Sequence, residues 1–462
     1  MNSENFPAAP AKIFLVGLGG IGMSALAQFF ISLGYEVAGS DRDLTTPAQA
    51  ALFDKLKKQG ISAYIQDGSG VEEFKPDALV YSSAIEESNP DFLAAGNTAR
   101  FHRSIAMAAA VNKSGLKQIA VAGSCGKTSV TGWIASALNA LGQDPVMING
   151  GYTGEFIDER HPGNFKPGKN FIVYEADESD GSLVNFRPET AILLNLGLDH
   201  YEKDKLDEFF KEYLSHSKQI VISNELTYLL PGGINFLTFH EDVNSTDEAD
   251  YKAEEISHTP EGTCFKIAGT EVKSSQFGNH SAANALAVCA ALVQNGFTLE
   301  ETAEAVAAFK GVARRFDYKG VRGNKRIYDD YAHNIAKISA CLQTAQNMSN
   351  DPVIGVFQPH GYGPLGFMKD GLKEEMLRIL RPDDQFIFLP VFYAGGTTSF
   401  KPTSAEVAEE FKNAGIRVTD FEEREELKNF LDRISGPASV VVLGARDPSL
   451  SDWSQSLSGT SS

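Results

Sequence analysis

Gly123-Ser124-Cys125-Gly126-Lys127-Thr128-Ser129 stands between an apolar run, Gln118-Ile119-Ala120-Val121-Ala122, and a helical pattern through Trp133-Ile134-Ala135-Ser136-Ala137-Leu138. A glycine turn joining a buried strand to a helix start gathers backbone N–H groups and the positive end of a helix dipole at one spot, which suits a phosphate. Lys127 then reaches the outer phosphates and the Thr128 hydroxyl holds Mg²⁺. All seven residues, 123 to 129, are expected to bind ATP. The usual eight-residue pattern wants Gly or Ala at position 121, which is Val here. A surface turn with a chance GKT is the alternative; the strand before and the helix after favour the nucleotide.

Upstream, Ile13-Phe14-Leu15-Val16 runs into Gly17-Leu18-Gly19-Gly20-Ile21-Gly22, a helical stretch to Phe30, Gly34, and a second apolar run that ends in Ser40-Asp41. Strand, glycine turn, helix, strand and acid make a Rossmann-like opening. Alone, the turn also fits a dehydrogenase with Asp41 on a ribose. A second nucleotide loop a hundred residues later argues against plain hydride transfer.

Further apolar runs, Phe171-Ile172-Val173-Tyr174 and Thr190-Ala191-Ile192-Leu193-Leu194, each end in polar clusters: Glu175-Ala176-Asp177-Glu178-Ser179-Asp180 and Asp199-His200. Ligands gather at the carboxyl ends of parallel strands, and acids there suit Mg²⁺. From Asp317 onward, strand-like runs at 327–328, 353–357, 385–389 and 440–443 alternate with helical patterns. The reading is α/β throughout, in three units: a Rossmann-like N-terminal domain (1–112), a central P-loop-type ATPase domain (113–316) and a Rossmann-like C-terminal domain (317–462).

Composition narrows the function. The 462 residues carry a net charge of −19, which disfavours a broad nucleic-acid surface. The four cysteines are scattered without a CxxC pair, so neither a disulfide framework nor a zinc knuckle is expected. No apolar stretch is long enough for a membrane span and no signal-peptide layout opens the chain; a cytoplasmic protein is expected.

Taken in order, these stretches resemble the Mur ligase family, most closely its alanine-adding branch, over essentially the whole chain. The segments are GLGGIGMSALAQ, GSD at 39–41, SSAI at 82–85 with Asn89-Pro90, GSCGKTSVTGW, EADESDGS, Gly278-Asn279-His280-Ser281-Ala282-Ala283-Asn284-Ala285, Gly311-Val312-Ala313-Arg314-Arg315-Phe316, Asp329-Asp330-Tyr331-Ala332-His333-Asn334 and Phe357-Gln358-Pro359-His360. The family's shortened phosphate loop accounts for Val121. The resemblance implies a cytoplasmic peptidoglycan-building ligase, monomer or weak homodimer. It would use ATP and Mg²⁺ to join an amino acid, L-alanine or another small amine, to a UDP-N-acetylmuramate-type carboxylate through an acyl phosphate. Alternatives are a recycled murein peptide as the carboxylate, or nucleotide binding without turnover.

Carried over through the matching motifs, Lys127, Glu175, His200 and Arg315 are the catalytic set, and Thr128, Glu175 and His200 hold the metal. Asn284, Arg315, Asp330 and His333 join the loop in binding ATP, the C-terminal domain closing on the nucleotide. Gly17, Gly19, Gly20, Gly22, Ser40, Asp41 and Ser83 bind the UDP portion, and His360 meets the acceptor. The family's second arginine in the acceptor loop falls on Pro364, which cannot clamp a carboxylate; Lys369 is the candidate replacement cation, against the commoner role of a solvated helix lysine. Cys125, where the family has His or Asn, is expected to be packed and inert, with a reactive thiol near a helix N-terminus as the alternative. Ser281, Ile335 and the acid-free turn Tyr393-Ala394-Gly395-Gly396-Thr397 also depart from the pattern.

Overall fold

Ile119 to Ala122 carry no polar side chain, which suits a strand covered on both faces. In the computed structural model, which describes residues 3–177, 181–197, 203–240, 242–259, 261–393 and 399–459, this run lies near the middle of a seven-stranded sheet. Its strands are β6 (Lys117–Ala122), β7 (Val146–Ile148), β8 (Phe165–Lys166), β9 (Phe171–Glu175), β10 (Thr190–Leu193), β11 (Gln219–Ser223) and β12 (Asn235–Phe239), in the order β12-β11-β10-β6-β9-β7-β8. Only β8 runs antiparallel to its neighbour. Parallel pairing aligns Ala122 with Leu193 of β10, and Val121 with Glu175 of β9. The loops after β6, β9 and β10 therefore leave the same edge side by side.

A five-stranded parallel sheet precedes it, built from β1 (Lys12–Val16), β2 (Glu36–Asp41), β3 (Ser62–Ile65), β4 (Ala78–Tyr81) and β5 (Ala99–His102) in the order β3-β2-β1-β4-β5. A small sheet, β13 (Glu254–Thr259), β14 (Gly262–Ile267) and β15 (Thr270–Ser274), follows the central one. The last sheet holds β16 (Asp317–Arg322), β17 (Lys325–Asp330), β18 (Val353–Phe357), β19 (Gln385–Phe388), β20 (Val418–Asp420) and β21 (Ala438–Leu443), ordered β16-β17-β21-β18-β19-β20. It is parallel except for the β16–β17 hairpin. The chain divides into two compact units, Met1–Ser257 with Thr263–Val312, and His258–Gly262 with Ala313–Ser462. The first unit thus contains both large parallel sheets of the N-terminal and central regions.

The helix Lys127–Ala140 after the phosphate loop is buried along most of its length. Its Trp133 is 1% exposed, stacks on Phe309 at 4.9 Å and donates Nε1–H to the Val306 carbonyl at 2.9 Å. Burial of one such side chain contributes roughly 1.5–3 kcal/mol, and the indole N–H leaves no buried donor unmet. As read from the sequence, Ser40 and Asp41 end β2, where Ser40 pairs with Val16 and Asp41 with Ile65. Among the described residues no helix is long and apolar enough to cross a membrane.

Candidate active site

The phosphate loop is shaped from outside itself. Gly123 and Gly126 take φ of +128° and +88°, conformations that favour glycine. Asn195, just past β10, holds the loop by three bonds: its Oδ1 accepts from Cys125 N–H at 2.8 Å, its Nδ2 donates to Cys125 O at 3.1 Å, and its carbonyl accepts from Ser124 N–H at 3.3 Å. The Ser124 hydroxyl accepts from Gly197 N–H at 2.7 Å and donates to Gly197 O at 3.2 Å. Ser124 and Cys125 therefore direct these groups at the protein. The first bond of the following helix runs from Val130 N–H to Gly126 O at 2.9 Å, so the amides of Thr128 and Ser129 lie in the helix's first turn, where an anion is favoured. The Cys125 side chain is exposed, which corrects the expectation of a packed thiol: its backbone is fixed while its sulfur faces solvent.

Lys127 donates Nζ–H to the Gly123 carbonyl at 2.6 Å and lies 3.8 Å from Asp177 Oδ1. Glu175, at the end of β9, accepts from Gly150 N–H through Oε1 at 2.6 Å. A Cβ on Gly150 would stand 2.8 Å from that oxygen, and a Cβ on Gly151 would stand 2.8 Å from the Thr128 methyl carbon. Two glycines after β7 thus lie against Glu175 and the Thr128 methyl, and a side chain at either would press on them. The Glu175 carboxylate and the Thr128 hydroxyl are oxygen donors of the kind a hard cation takes. His200, the third expected ligand, lies outside the described residues, as do Glu178, Ser179, Asp180 and Asp199. Asn284 is brought to the loop: its Oδ1 is 2.8 Å from the position of a Cβ on Gly126.

A cavity of about 580 Å³ in the first unit is lined by Gly17, Gly19, Gly20, Asp41, Arg42, Ser82 and Asn89, among others. The turn is held from β2: Gly17 and Leu18 N–H donate to Ser40 O at 2.9 and 2.8 Å, and Gly19 N–H donates to Asp41 Oδ2 at 2.7 Å. Ser40 does not face the cavity. It is fully buried and its hydroxyl donates to Asp91, a carboxyl raised above its ordinary pKa chiefly by burial. Its expected role on the UDP portion is therefore corrected to a structural one. Ser83 is exposed beside the lining residue Ser82, and Gly22 sits in the first turn of the helix Ile21–Ser32.

In the second unit, Asp330 accepts from Phe316 N–H and Ala332 N–H, both at 2.7 Å. It fixes the turn that carries Arg315, which is exposed, and both carboxylate oxygens are engaged. The adjacent Arg314, missed in the sequence, donates to the Gly444 and Ala445 carbonyls and lies 3.4 Å from buried Asp329. His333 and His360 meet edge to face, with ring centroids 5.3 Å apart. Burial lowers the pKa of both; that of His360 is pushed down to about 4, with the His333 and Arg446 charges adding to the effect. His360 is thus neutral at pH 7. Lys369 is already paired, 2.6 Å from Glu410 Oε2, and its expected role as a carboxylate clamp is not carried forward. Pro364 occupies the first turn of the helix Tyr362–Ile379. Of the departing turn, only Tyr393 is described.

Sequence profiles match almost end to end: "Mur ligase family, catalytic domain" over residues 12–113, "Mur ligase middle domain" over 121–292, and "Mur ligase, glutamate ligase domain" over 314–446. UDP-N-acetylmuramate–L-alanine ligase of Streptomyces griseus is 31% identical over 96% of both chains. The chain belongs to the Mur ligase family. The Streptomyces coelicolor protein of the same name is 33% identical, covering 96% of this chain and 97% of its own. Among solved structures, the UDP-N-acetylmuramate-alanine ligase of Thermotoga maritima superposes with a TM-score of 0.78 at 26% identity, covering 96% and 97% of the two chains. A murein peptide ligase from Psychrobacter arcticus shares the fold, with a TM-score of 0.63 at 20% identity over 98% and 100%. The three parallel-sheet regions seen here are therefore the three Mur ligase domains.

Proposed function

We propose that this Mur ligase activates the carboxylate of a UDP-N-acetylmuramate-type donor with ATP and joins it to an amino acid or another small amine. The observation that carries the reading is the phosphate loop, braced by Asn195 and flanked by Lys127, Thr128 and Glu175, in the same unit as the glycine-lined cavity.

In the proposed sequence a donor carboxylate oxygen bonds to the γ-phosphorus while the bond to the β–γ bridging oxygen breaks, and that electron pair leaves with ADP. The amine nitrogen then attacks the acyl carbon, loses a proton, and phosphate departs. Lys127 neutralises charge on the transferring phosphoryl group. The loop amides and the helix N-terminus hold the phosphates in line. Mg²⁺, held by Thr128 and Glu175 and in this reading also by His200, would spread the phosphate charge. Residues 1–112, 113–316 and 317–462 are read as donor, ATP and acceptor domains, and the protein as cytoplasmic, a monomer or weak homodimer, with no nucleic-acid partner.

The acceptor is the open part. Pro364 and the paired Lys369 supply no clamp for a free carboxylate, so an amine other than L-alanine is a specific second reading. Purified protein with ATP, Mg²⁺ and UDP-N-acetylmuramate, offered a panel of amines and read by product mass, tests it. An amide product formed together with phosphate release supports the ligase. ATP binding with no product across the panel, and with recycled murein peptides also tried as donors, would refute it.

A further inference from the structure

Arg103 drew no attention in the sequence, yet three observations converge on it. It opens the helix Arg103–Lys113 directly after β5. Its guanidinium reaches the glycine-rich turn, where a Cβ on Gly22 would stand 2.6 Å from Nη1. Its Nη2 lies 3.7 Å from Asp177 Oδ2, and Asp177 Oδ1 lies 3.8 Å from Lys127 Nζ. Guanidinium, carboxylate and ammonium thus form a row inside the first unit, from the turn of the donor cavity to the phosphate loop. The side chains of Arg103, Asp177 and Lys127 are 32%, 36% and 14% exposed, so a ligand can reach the row.

Both separations across Asp177 exceed the ~2.7–2.9 Å of a charge-assisted hydrogen bond, so a better-placed carboxylate can take up the guanidinium. A planar fork of N–H donors matches a carboxylate in two parallel bonds, which a lysine cannot do. The reaction also demands a cation here. An anionic oxygen must approach an anionic phosphoryl group, and an arginine beside Lys127 offsets that repulsion. The pyrophosphate of a nucleotide-sugar, by contrast, is suited to the amides of the glycine turn itself.

We propose that Arg103 binds the carboxylate of the donor and holds it beside the phosphoryl group that Lys127 serves, with Asp177 spacing the two cations. This rests on the donor-activating reading above, but its test does not need turnover. UDP-N-acetylmuramate and UDP-N-acetylglucosamine, the same nucleotide-sugar without the lactyl carboxylate, are titrated calorimetrically into the full chain and into Arg103→Ala, Arg103→Gln and Arg103→Lys, with ATP as a separate titrant. The wild type is expected to prefer the carboxylate-bearing ligand by about tenfold or more, as loss of a charged bidentate pair implies. Arg103→Ala should abolish that preference while leaving UDP-N-acetylglucosamine and ATP affinities within about twofold, and Arg103→Lys should restore part of it. Arg103→Gln, which keeps much of the stem, gives the same reading if the alanine variant melts early.

Equal weakening of both nucleotide-sugars would assign Arg103 to the pyrophosphate and overturn the proposal. So would an unchanged preference in the variants, or no preference in the wild type. If wild-type protein still releases phosphate in a carboxylate-dependent way, the ligase reading survives that outcome. If it does not, the ligase reading falls with it.

Discussion

Replacing Lys127 with alanine is expected to lower amine- and carboxylate-dependent phosphate release by about 10³-fold, with the melting transition little changed. The lysine's contacts with the Gly123 carbonyl and Asp177 lie at the strand ends rather than in the core, so folding depends on it weakly. The chemistry depends on it strongly. Charge builds on the phosphoryl oxygens during transfer, and a fixed ammonium in a partly water-excluded site stabilises that charge far more than it stabilises bound ATP. The loss should therefore appear in kcat, with a smaller rise in the KM for ATP. Single-turnover rates with saturating ATP check this. A rate within tenfold of wild type would mean that Lys127 does not meet the transferring group.

Gly126→Ala is expected to lower the same activity by about 100-fold, since misplacement of a positioning group by ~1 Å can cost that much. Two effects act together. The residue holds φ at +88°, where a side chain adds ~1–3 kcal/mol of strain. The new methyl would also lie 2.8 Å from Asn284 Oδ1, so either the loop or the Asn284 side chain must shift. Both the KM for ATP and kcat should worsen, in contrast with the lysine variant. Wild-type kinetics in Gly126→Ala would show that the loop adopts another conformation during catalysis.

The fold was legible where chain-local rules apply. The strands around the phosphate loop and the glycine turn are unbroken apolar runs ending in small or polar residues, and parallel strands buried on both faces read that way. The site was legible only where it is contiguous. Asn195 braces the loop from 70 residues away, and nothing near it in the chain announces that β10 pairs with β6. Arg103 and Asp177 are 74 residues apart in the same way. Ser40 shows the opposite failure: beside Asp41 at a strand end it looked like a ligand contact, but it faces inward onto Asp91, a partner 51 residues on. Lys369 looked like a spare cation because Glu410, 41 residues later, is invisible from the loop. Pro364 remains the sequence feature with most to say about the acceptor, since Lys369, the cation expected to replace the missing guanidinium, is paired with Glu410.

The central claim is that the donor carboxylate attacks ATP directly. Donor labelled with ¹⁸O in that carboxylate, incubated with ATP, Mg²⁺ and the accepted amine, tests it through the isotope content of the released phosphate. Acyl-phosphate formation predicts one labelled oxygen in each phosphate released along with the amide product. Unlabelled phosphate accompanying amide formation would contradict the account.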